Sequence, residues 1–376
     1  MSQGAGRLRH LAAPWRGRER GADDGRSFLK ILLTGAAGLL GGEVAGRLVD
    51  RGHHVTALIN RNRAVRRNDG RLVEGVTLLD GDLGRESLGW NEAMWQAVAG
   101  GHELIVHCAA VTQFDAAAAV HRAINVDGTA RVLALARAGG MKFLHVSTAY
   151  VCGTRDGPVA EDPRDERYPF ANGYEASKAQ AEALVRASGI AAAVARPSVV
   201  VGGWSSGAIR SFDTIYAAFR LIATGRVRVI PAHPHATIDF VPIDHVTAGL
   251  CDLAERIDEA AGRTYHLVSG GPVPVELLRD VIASVPHLVA PTLVDPARFD
   301  ISALPRSERR LHARVTGLYA NYFQRDPRFD DGNARAFIGR ACPPTDAAFL
   351  RRLIDFAGAA GLVPSGPSRA RVRAAP

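Results

Sequence analysis

The chain has 376 residues, of which 47% are hydrophobic and 22% are charged. This length and composition exclude a largely disordered protein and predict two or three globular lobes around a large core. No apolar run approaches the roughly 18 residues of a membrane-spanning helix. The net charge of +8 is concentrated in residues 1–27 and 365–376, so it does not indicate a nucleic-acid-binding face.

Short apolar runs and helical patterns alternate along the chain from residue 28. Strand patterns occupy residues 28–33, 55–59, 76–79, 104–108, 143–147 and 192–200. Helical patterns lie between them at residues 40–50, 91–98, 120–138 and 174–187. Strands rich in Val, Ile and Leu that are separated by helices are typical of a parallel sheet covered on both faces. The pattern predicts an α/β fold with a Rossmann-type, doubly wound parallel sheet.

The alternation breaks after residue 202. Further helices are predicted at residues 211–224, 246–257 and 349–360, and further strands at 227–230 and 264–268. We predict a dinucleotide-binding domain (28–202, with core elements returning at 238–270) and a smaller C-terminal substrate-binding lobe (203–237 and 271–364). The ends (1–27 and 365–376) are predicted to be a flexible basic leader and tail, dispensable for folding and turnover because they can bury little apolar surface.

The cysteines are widely spaced and form no Cys-x-x-Cys pair; they are Cys108, Cys152, Cys251 and Cys342. This spacing favours free thiols in a reducing compartment over a disulfide framework or a zinc site. Residues 1–27 lack the apolar stretch of a secretory signal. We therefore expect a cytoplasmic protein without a bound metal.

A glycine-rich segment follows the first predicted strand. Gly35, Gly38 and Gly41 are spaced three apart, with Leu39 among them, just where the next helix begins. Glycines in this position allow a tight turn and let backbone amides approach a pyrophosphate at the helix N-terminus. The segment predicts dinucleotide binding.

The end of the second predicted strand bears on which dinucleotide is bound. The strand is followed by Asn60 and Arg61 instead of the acid that would bind the ribose hydroxyls of NAD. Arg61 can pair with a 2′-phosphate, which favours NADPH (NADP+), although a solvated arginine is the alternative. Asp82 and Leu83 follow the third strand; the Asp82 carboxylate can meet the adenine or cap a helix, and both interpretations stay open.

Tyr174 and Lys178 form the strongest chemical signal. Lys30, Lys142 and Lys178 are the only lysines in the chain, so a chance Tyr-x-x-x-Lys match is improbable. Residues four apart share one face of a helix, so the phenol and the ammonium point to the same place. A neighbouring cation is expected to lower the pKa of the phenol and make it a usable proton donor and acceptor.

Two further polar residues are candidates for the same site. Thr148 follows the fifth predicted strand, where its hydroxyl can donate a hydrogen bond to a substrate oxygen that becomes anionic; Ser147 is the competing choice. Asn125 lies within a predicted helix. It either organises the site or has a merely structural role.

Taken together, eight segments resemble the extended short-chain dehydrogenase/reductase family, and within it the thioester reductase and fatty acyl-CoA reductase branch. They are residues 34–41, 81–83, 107–111, 125–129, 146–151, 174–178, 196–200 and 239–244. The resemblance covers about residues 29–268. It implies that Thr148, Tyr174 and Lys178 form a catalytic triad, and that the cofactor is lined by Ala109, Ala110, Val111, Pro197 and Ser198.

These observations predict an NADPH-dependent reductase of a carbonyl or acyl-thioester substrate, either a small molecule or a carrier- or CoA-bound acyl group. The resemblance places it in bacterial lipid or secondary metabolism, as a monomer or homodimer. The alternatives are a ketone reductase of a polyketide-type substrate, a sugar nucleotide epimerase or dehydratase, and a non-catalytic dinucleotide-binding protein. The C-terminal region carries no such likeness; its aromatic residues can line a pocket or form core, among them Phe299, Tyr319, Tyr322 and Phe323.

Overall fold

The computed structural model describes residues 28–162, 166–213 and 215–365. Its strands in chain order are β1 (Lys30–Thr34), β2 (His54–Ile59), β3 (Thr77–Asp80), β4 (Leu104–His107), β5 (Lys142–Val146), β6 (Gly157–Val159), β7 (Ala192–Pro197), β8 (Val199–Val201), β9 (Val229–Pro231), β10 (Thr237–Ile238), β11 (Phe240–Pro242), β12 (Thr264–Leu267), β13 (Val273–Pro274), β14 (Thr292–Val294) and β15 (Pro327–Phe329). Its α-helices are α1 (Leu39–Asp50), α2 (Glu92–Ala99), α3 (Ala118–His121), α4 (Asp127–Gly139), α5 (Gly173–Ala187), α6 (Ile215–Ala223), α7 (Ile243–Glu255), α8 (Ile257–Ala260), α9 (Val275–Ala283), α10 (Arg306–Tyr319), α11 (Gly332–Ile338) and α12 (Ala347–Ala359).

Seven of the strands form one parallel sheet in the order β12, β7, β5, β4, β1, β2, β3. Helices α1 and α7 pack on one face, and α2, α4 and α5 pack on the other. The central strands are buried on both sides, which is why they read as continuous apolar runs. The predicted doubly wound α/β fold is confirmed. Strand order reverses beside β1, and a ligand crevice is expected there, at the carboxyl ends of the strands.

The strand predicted over residues 192–200 is two strands. The Ser198 amide still donates to the Leu267 carbonyl oxygen of β12, but the Val199 amide donates to the Asp239 carbonyl oxygen, and the Ser198 hydroxyl donates to the Asp239 carboxylate. Beyond that point β8 leaves the central sheet and pairs with β11 in parallel. The prediction of one long strand is therefore wrong at its carboxyl end, and the split directs residues 199–201 toward the C-terminal lobe.

The single helix predicted over residues 120–138 is also interrupted. A π-helical turn over residues 122–126 separates α3 from α4 and contains Asn125. Such a turn inserts an extra residue into the helical ladder and is frequent at functional sites. Apolar periodicity does not reveal it, because both flanking segments keep the helical period.

The remaining elements form the lobe that covers the carboxyl edge of the sheet. It contains α6, α9, α10 and α12 together with the small pairs β9–β14 and β10–β13. Its core includes Tyr150 and Val159 from the first part of the chain, and β6 pairs with β15. Helix α11, which we placed in the lobe, packs through Ala334 and Ile338 on the core of the sheet. The domain division itself stays a prediction.

The predicted leader and nearly all of the predicted tail lie outside the described residues. Within the described part of the chain, no helix combines the length and the apolar character needed to cross a membrane. In those same ranges no group of three or more His, Cys, Asp or Glu side chains is arranged to hold a metal ion. All four cysteines are described, and each is a free thiol.

Candidate active site

The turn between β1 and α1 brings backbone atoms very close together at its glycines. Gly35 has a positive φ of 74°, and a Cβ there would lie 2.6 Å from the Ala109 amide nitrogen. A Cβ at Gly41 would lie 2.2 Å from the Gly35 carbonyl oxygen. Gly38 begins α1 without a side-chain cap, and no acid occupies the first turn of this fully described helix. The helix N-terminus thus presents its amides to an anion, as a dinucleotide pyrophosphate requires.

Replacing Gly41 by alanine is expected to weaken NADPH binding by about tenfold or more, because the new methyl group displaces the turn that faces the pyrophosphate. Titration calorimetry with NADPH measures the change. Gly271→Ala is the matched control, since a Cβ there meets open space. An unchanged Kd in Gly41→Ala would contradict the placement of the pyrophosphate at this turn.

Arg61 lies two residues beyond β2, and its side chain is exposed. The neighbouring Arg63 forms an ion pair with Asp80, the last residue of β3. Asp80 lies opposite Ile59, the last residue of β2, and its carboxylate is paired with Arg63. Contact of Arg61 with a cofactor phosphate stays a prediction.

Asp82 and Leu83 follow β3 at the same edge of the sheet. The Asp82 carboxylate accepts a hydrogen bond of 2.8 Å from the Gly84 amide, which closes a local turn. Leu83 packs in the core formed with α2 and α4. The structure thus gives Asp82 a turn-forming role, and its proposed contact with adenine stays a prediction.

Asn125 links the loop after β4 to helix α5, which carries Tyr174 and Lys178. Its side chain accepts a hydrogen bond of 2.7 Å from the Val111 amide and donates to the Val111 carbonyl oxygen at 3.0 Å. It also donates to the Ser177 hydroxyl at 2.9 Å, and that hydroxyl donates to the Tyr174 carbonyl oxygen. Asn125 is fully buried. It is not among the residues that line the cleft between the glycine turn and helix α5. These contacts join two segments of the site, and the role of Asn125, which we count among the candidate catalytic residues, stays a prediction.

The other cofactor-lining candidates flank the same crevice. Ala110 and Pro197 line the cleft directly. The Ala109 amide donates to the Thr34 hydroxyl at 3.2 Å, which fixes the loop beside the glycine turn. Ser198 also lines the cleft, but its hydroxyl is bonded to Asp239, so it shapes the wall without offering a free donor.

The structure brings Thr148, Tyr174 and Lys178 together in one cleft with Gly35, Gly38, Leu39 and Gly41. Thr148 and Tyr174 both line the cleft, and the Thr148 hydroxyl lies near enough to the Tyr174 phenol to lower its pKa. The Lys178 ammonium, almost fully buried, lies 3.4 Å from His145 Nε2. Since α5 begins at Gly173, Tyr174 and Lys178 occupy its first two turns, on the face toward the cleft. The residues predicted from spacing therefore converge at one place.

Burial decides the charge state of these groups. It raises the pKa of Tyr174, and the adjoining Glu175 carboxylate raises it further, while the Thr148 hydroxyl opposes both. Burial lowers the pKa of Lys178 to about 8, against the opposing effect of Glu182. Burial therefore outweighs the effects that lower the pKa of this phenol, and the expectation that Lys178 favours the phenolate stays a prediction.

The lobe closes the cleft with aromatic side chains. The cavity has a volume of about 340 Å³. Phe114 stacks on Tyr174 with ring centroids 5.9 Å apart, and Tyr319 and Tyr322 pack on Phe114. Of the aromatic candidates from the C-terminal region, Tyr319 and Tyr322 line this cleft. Sequence reasoning missed Phe114, which lies in a loop without a periodic pattern.

The other two aromatic candidates lie elsewhere in the lobe. Phe323 lines a second, apolar cavity, and Phe299 stacks on His312. That second cavity shares Ile215 and Tyr216 with the catalytic cleft. Neither of these shared residues carried a sequence signal for a site.

Comparison with known proteins identifies the family. The sequence profile of the male sterility protein family, an NAD-binding domain, matches residues 33–250. The chain is 30% identical over 270 residues to the aldehyde reductase lnaA of Aspergillus flavus, covering 64% of this chain and 25% of that protein. It is 31% identical over 255 residues to a 4-hydroxy-2-methyl-3-oxo-4-farnesyl-3,4-dihydroquinoline-1-oxide ketoreductase of Stigmatella aurantiaca, covering 65% of this chain and 70% of that one. The chain thus spans about a quarter of the length of the first of these relatives.

Solved structures share the fold. The terminal R domain of the myxalamid PKS-NRPS biosynthetic pathway superposes with a TM-score of 0.78 at 24% identity, covering 91% of this chain and 93% of that one. MoeE5, solved with UDP-glucose and NAD, superposes with a TM-score of 0.64 at 19% identity, covering 88% of this chain and 99% of that one. The profile match spans more than half of the chain. The chain therefore belongs to the male sterility protein family, the thioester reductase-like branch of the extended short-chain dehydrogenases/reductases, whose profile is that of an NAD-binding domain.

Proposed function

We propose that the chain is an NADPH-dependent reductase of an acyl thioester or another carbonyl compound. The observation that carries the proposal is the convergence of Tyr174, Thr148 and Lys178 in the cleft that also contains the glycine turn. A non-catalytic dinucleotide-binding protein has no use for a phenol that shares a cleft with a threonine hydroxyl and a buried ammonium.

Bound NADPH supplies a hydride to the carbonyl carbon of the substrate. Tyr174, which burial keeps protonated, gives its proton to the carbonyl oxygen as negative charge develops there. Thr148 donates a hydrogen bond to the same oxygen. Lys178 lies one helical turn from Tyr174 and favours the phenolate that forms, and it is placed to hold the nicotinamide ribose.

A thioester needs one further bond cleavage. The tetrahedral hemithioacetal expels its thiol, so one hydride and one proton convert a thioester to an aldehyde and a free thiol. A second hydride and proton take the aldehyde to the alcohol. Neither step requires a residue beyond the three named.

His145 fixes the Lys178 ammonium in place. It is fully buried, and burial and the nearby Lys178 charge hold its pKa well below the ordinary value. The imidazole is therefore neutral, and its Nε2 can accept a hydrogen bond from Lys178 Nζ across 3.4 Å.

The cofactor preference rests on Arg61. Replacing Arg61 by alanine is expected to weaken NADPH binding by about ten- to a hundredfold, the usual worth of a charge-assisted contact with a phosphate, and to leave NADH binding unchanged. Kd values for both cofactors, measured on wild type and variant, check this. Arg85→Ala, at another exposed arginine near the carboxyl edge of the sheet, is the control. Equal wild-type affinities for NADPH and NADH would contradict the preference.

The lining of the cleft favours a substrate with a substantial apolar part. Three aromatic rings from the loop after β4 and from the lobe, Phe114, Tyr319 and Tyr322, pack against one another beside Tyr174. Apolar and aromatic walls of this kind bind acyl or polyketide-type groups through burial of surface. The sugar nucleotide alternative rests on likeness of fold alone.

Oxidation of NADPH against a matched panel tests the proposal. The panel contains octanoyl-CoA, octanal, a polycyclic ketone and UDP-glucose, and the absorbance of NADPH is followed with each. Turnover of octanoyl-CoA or a carbonyl compound, lowered by about 10²–10⁴ in Tyr174→Phe, is the expected result. Conversion of UDP-glucose to another UDP-sugar, followed by chromatography because it causes no net oxidation of NADPH, without turnover of the other compounds, would replace the proposal with the sugar nucleotide alternative.

A further inference from the structure

Glu175 follows the proton donor Tyr174 directly and is completely buried. One carboxylate oxygen accepts a hydrogen bond of 2.9 Å from the Ala171 amide, and the Asn172 side chain caps the same helix through the Glu175 amide. The other oxygen accepts from Arg325 at 3.0 Å. A buried carboxylate therefore lies beside the residue that must become an anion when it gives up its proton.

Arg325 comes from the lobe, 150 residues away in the chain, and is itself 3% exposed. It also donates to the Gly153 carbonyl oxygen, in the loop that follows Thr148. Its guanidinium lies 4.8 Å from the centre of the Tyr150 ring and 5.0 Å from that of Tyr322, within cation–π distance of both. One side chain thus joins the start of the catalytic helix, the Thr148 loop and the aromatic wall of the cleft.

Stability alone does not account for this pair. Desolvation of two charges offsets most of their attraction, and an apolar pair of similar volume is often as stable. Here, however, the Ala171 amide holds the carboxylate in the first turn of the helix that carries Tyr174, near enough to raise the pKa of the phenol. The positive charge of Arg325 offsets that of Glu175 at the one place where a second anion must form.

Resting on the proposed function, we propose that Arg325 is a positioning residue for the reduction: by pairing with Glu175 it removes the repulsion between that carboxylate and the Tyr174 phenolate. Lys178 favours the phenolate directly, and Arg325 does so through Glu175. The pair also fixes the position of the aromatic wall relative to Tyr174, because the same guanidinium lies against Tyr150 and Tyr322.

The surrounding groups do not replace Arg325 in this role. The ionisable side chains around Tyr174 and Glu175 are Lys178 on the same helix, His121 beside Gly173, Tyr150 and Cys152 in the loop after β5, and Tyr319 and Tyr322 from the lobe. Burial raises the pKa of Cys152 to about 11 and raises those of the three tyrosines, so all four are neutral. Glu175 itself has its pKa raised by burial, and Arg325 opposes this.

The experiment compares Arg325→Met, Glu175→Gln and the double variant. The ionisation of Tyr174 is read from the ultraviolet absorbance of the phenolate with NADP+ bound, as the difference between each protein and its Tyr174→Phe counterpart. Arg325→Met is expected to move the midpoint to higher pH by about one pH unit, because an unpaired carboxylate opposes the second anion. Glu175→Gln is expected to move it to lower pH, and the double variant to restore it. A purely structural pair would leave all midpoints at the wild-type value.

The same variants are assayed for oxidation of 1-octanol with NADP+, in which the phenolate is the base. The low-pH limb of kcat is expected to shift in the same directions, with about a tenfold loss for Arg325→Met near neutral pH and recovery in the double variant. If Arg325→Met fails to fold, the midpoint of Tyr174 ionisation in Glu175→Gln tests the inference alone. A midpoint equal to that of the wild type overturns the inference. If Tyr174→Phe oxidises the probe as fast as wild type, the proposed function fails instead.

Discussion

Replacing Tyr174 by phenylalanine is expected to lower turnover by about 10²–10⁴, the usual worth of a positioned acid, while folding and NADPH binding remain intact. The variant removes only the hydroxyl and keeps the ring that stacks on Phe114. Burial and Glu175 raise the pKa of this phenol, so it is protonated at neutral pH and ready to donate. The measurement is kcat for NADPH oxidation with a substrate that the wild type reduces, together with the Kd for NADPH.

Tyr265→Phe is the matched control for Tyr174→Phe. Its hydroxyl is also buried, but it donates to the Ala260 carbonyl oxygen and takes no part in the lining of the cleft. The control is expected to retain turnover despite a modest loss of stability, about 1 kcal/mol for one hydrogen bond. If Tyr174→Phe also retained turnover, the proton would come from another group and the triad assignment would be wrong.

Replacing Thr148 by alanine is expected to lower kcat by about 10²-fold or more, because it removes a hydrogen-bond donor aimed at the developing oxyanion. The Thr148 hydroxyl faces the same cleft as the Tyr174 phenol and lowers its pKa, so we expect it to reach an oxygen that Tyr174 protonates. Single-turnover rates measure the loss in the chemical step. They are recorded with NADPH-saturated enzyme in excess over substrate, so that product release does not contribute to the rate.

Ser147→Ala tests the choice between the two neighbouring hydroxyls. Ser147 also borders the cleft, but Thr148 is the one whose hydroxyl acts on the pKa of Tyr174. A loss of a few-fold or less is expected for Ser147→Ala, since one donor not aimed at the oxyanion contributes little. The reverse ranking of the two variants would assign the oxyanion contact to Ser147.

Features set by local periodicity were predictable. Apolar runs of the length of β1 and β4 occur where a strand is covered on both faces, so the α/β class follows from the pattern. The glycine spacing before α1 and the four-residue interval between Tyr174 and Lys178 are likewise local, because turn and helix geometry fix which groups share a face. The structure accordingly places all of these residues in one cleft.

Features that depend on distant contacts were not predictable in this way. The strand over residues 192–200 splits where its pairing partner changes from β12 to β11, and β11 lies about forty residues later in the chain. Asn125 appears as a helical residue in sequence, yet its partners are Val111 and Ser177, on two other segments. No single-segment pattern encodes such pairings.

The sequence by itself determined the parallel sheet, the dinucleotide turn and the placing of a phenol and an ammonium on one helical face, since each follows from the geometry of neighbouring residues. Only the tertiary structure decided the charge state of that phenol, whose pKa burial raises where the sequence predicted a decrease. It also decided that Arg325, far along the chain, neutralises the carboxylate beside it. Desolvation and ion pairing depend on which distant side chains close over a group, and that is settled when the lobe packs on the sheet.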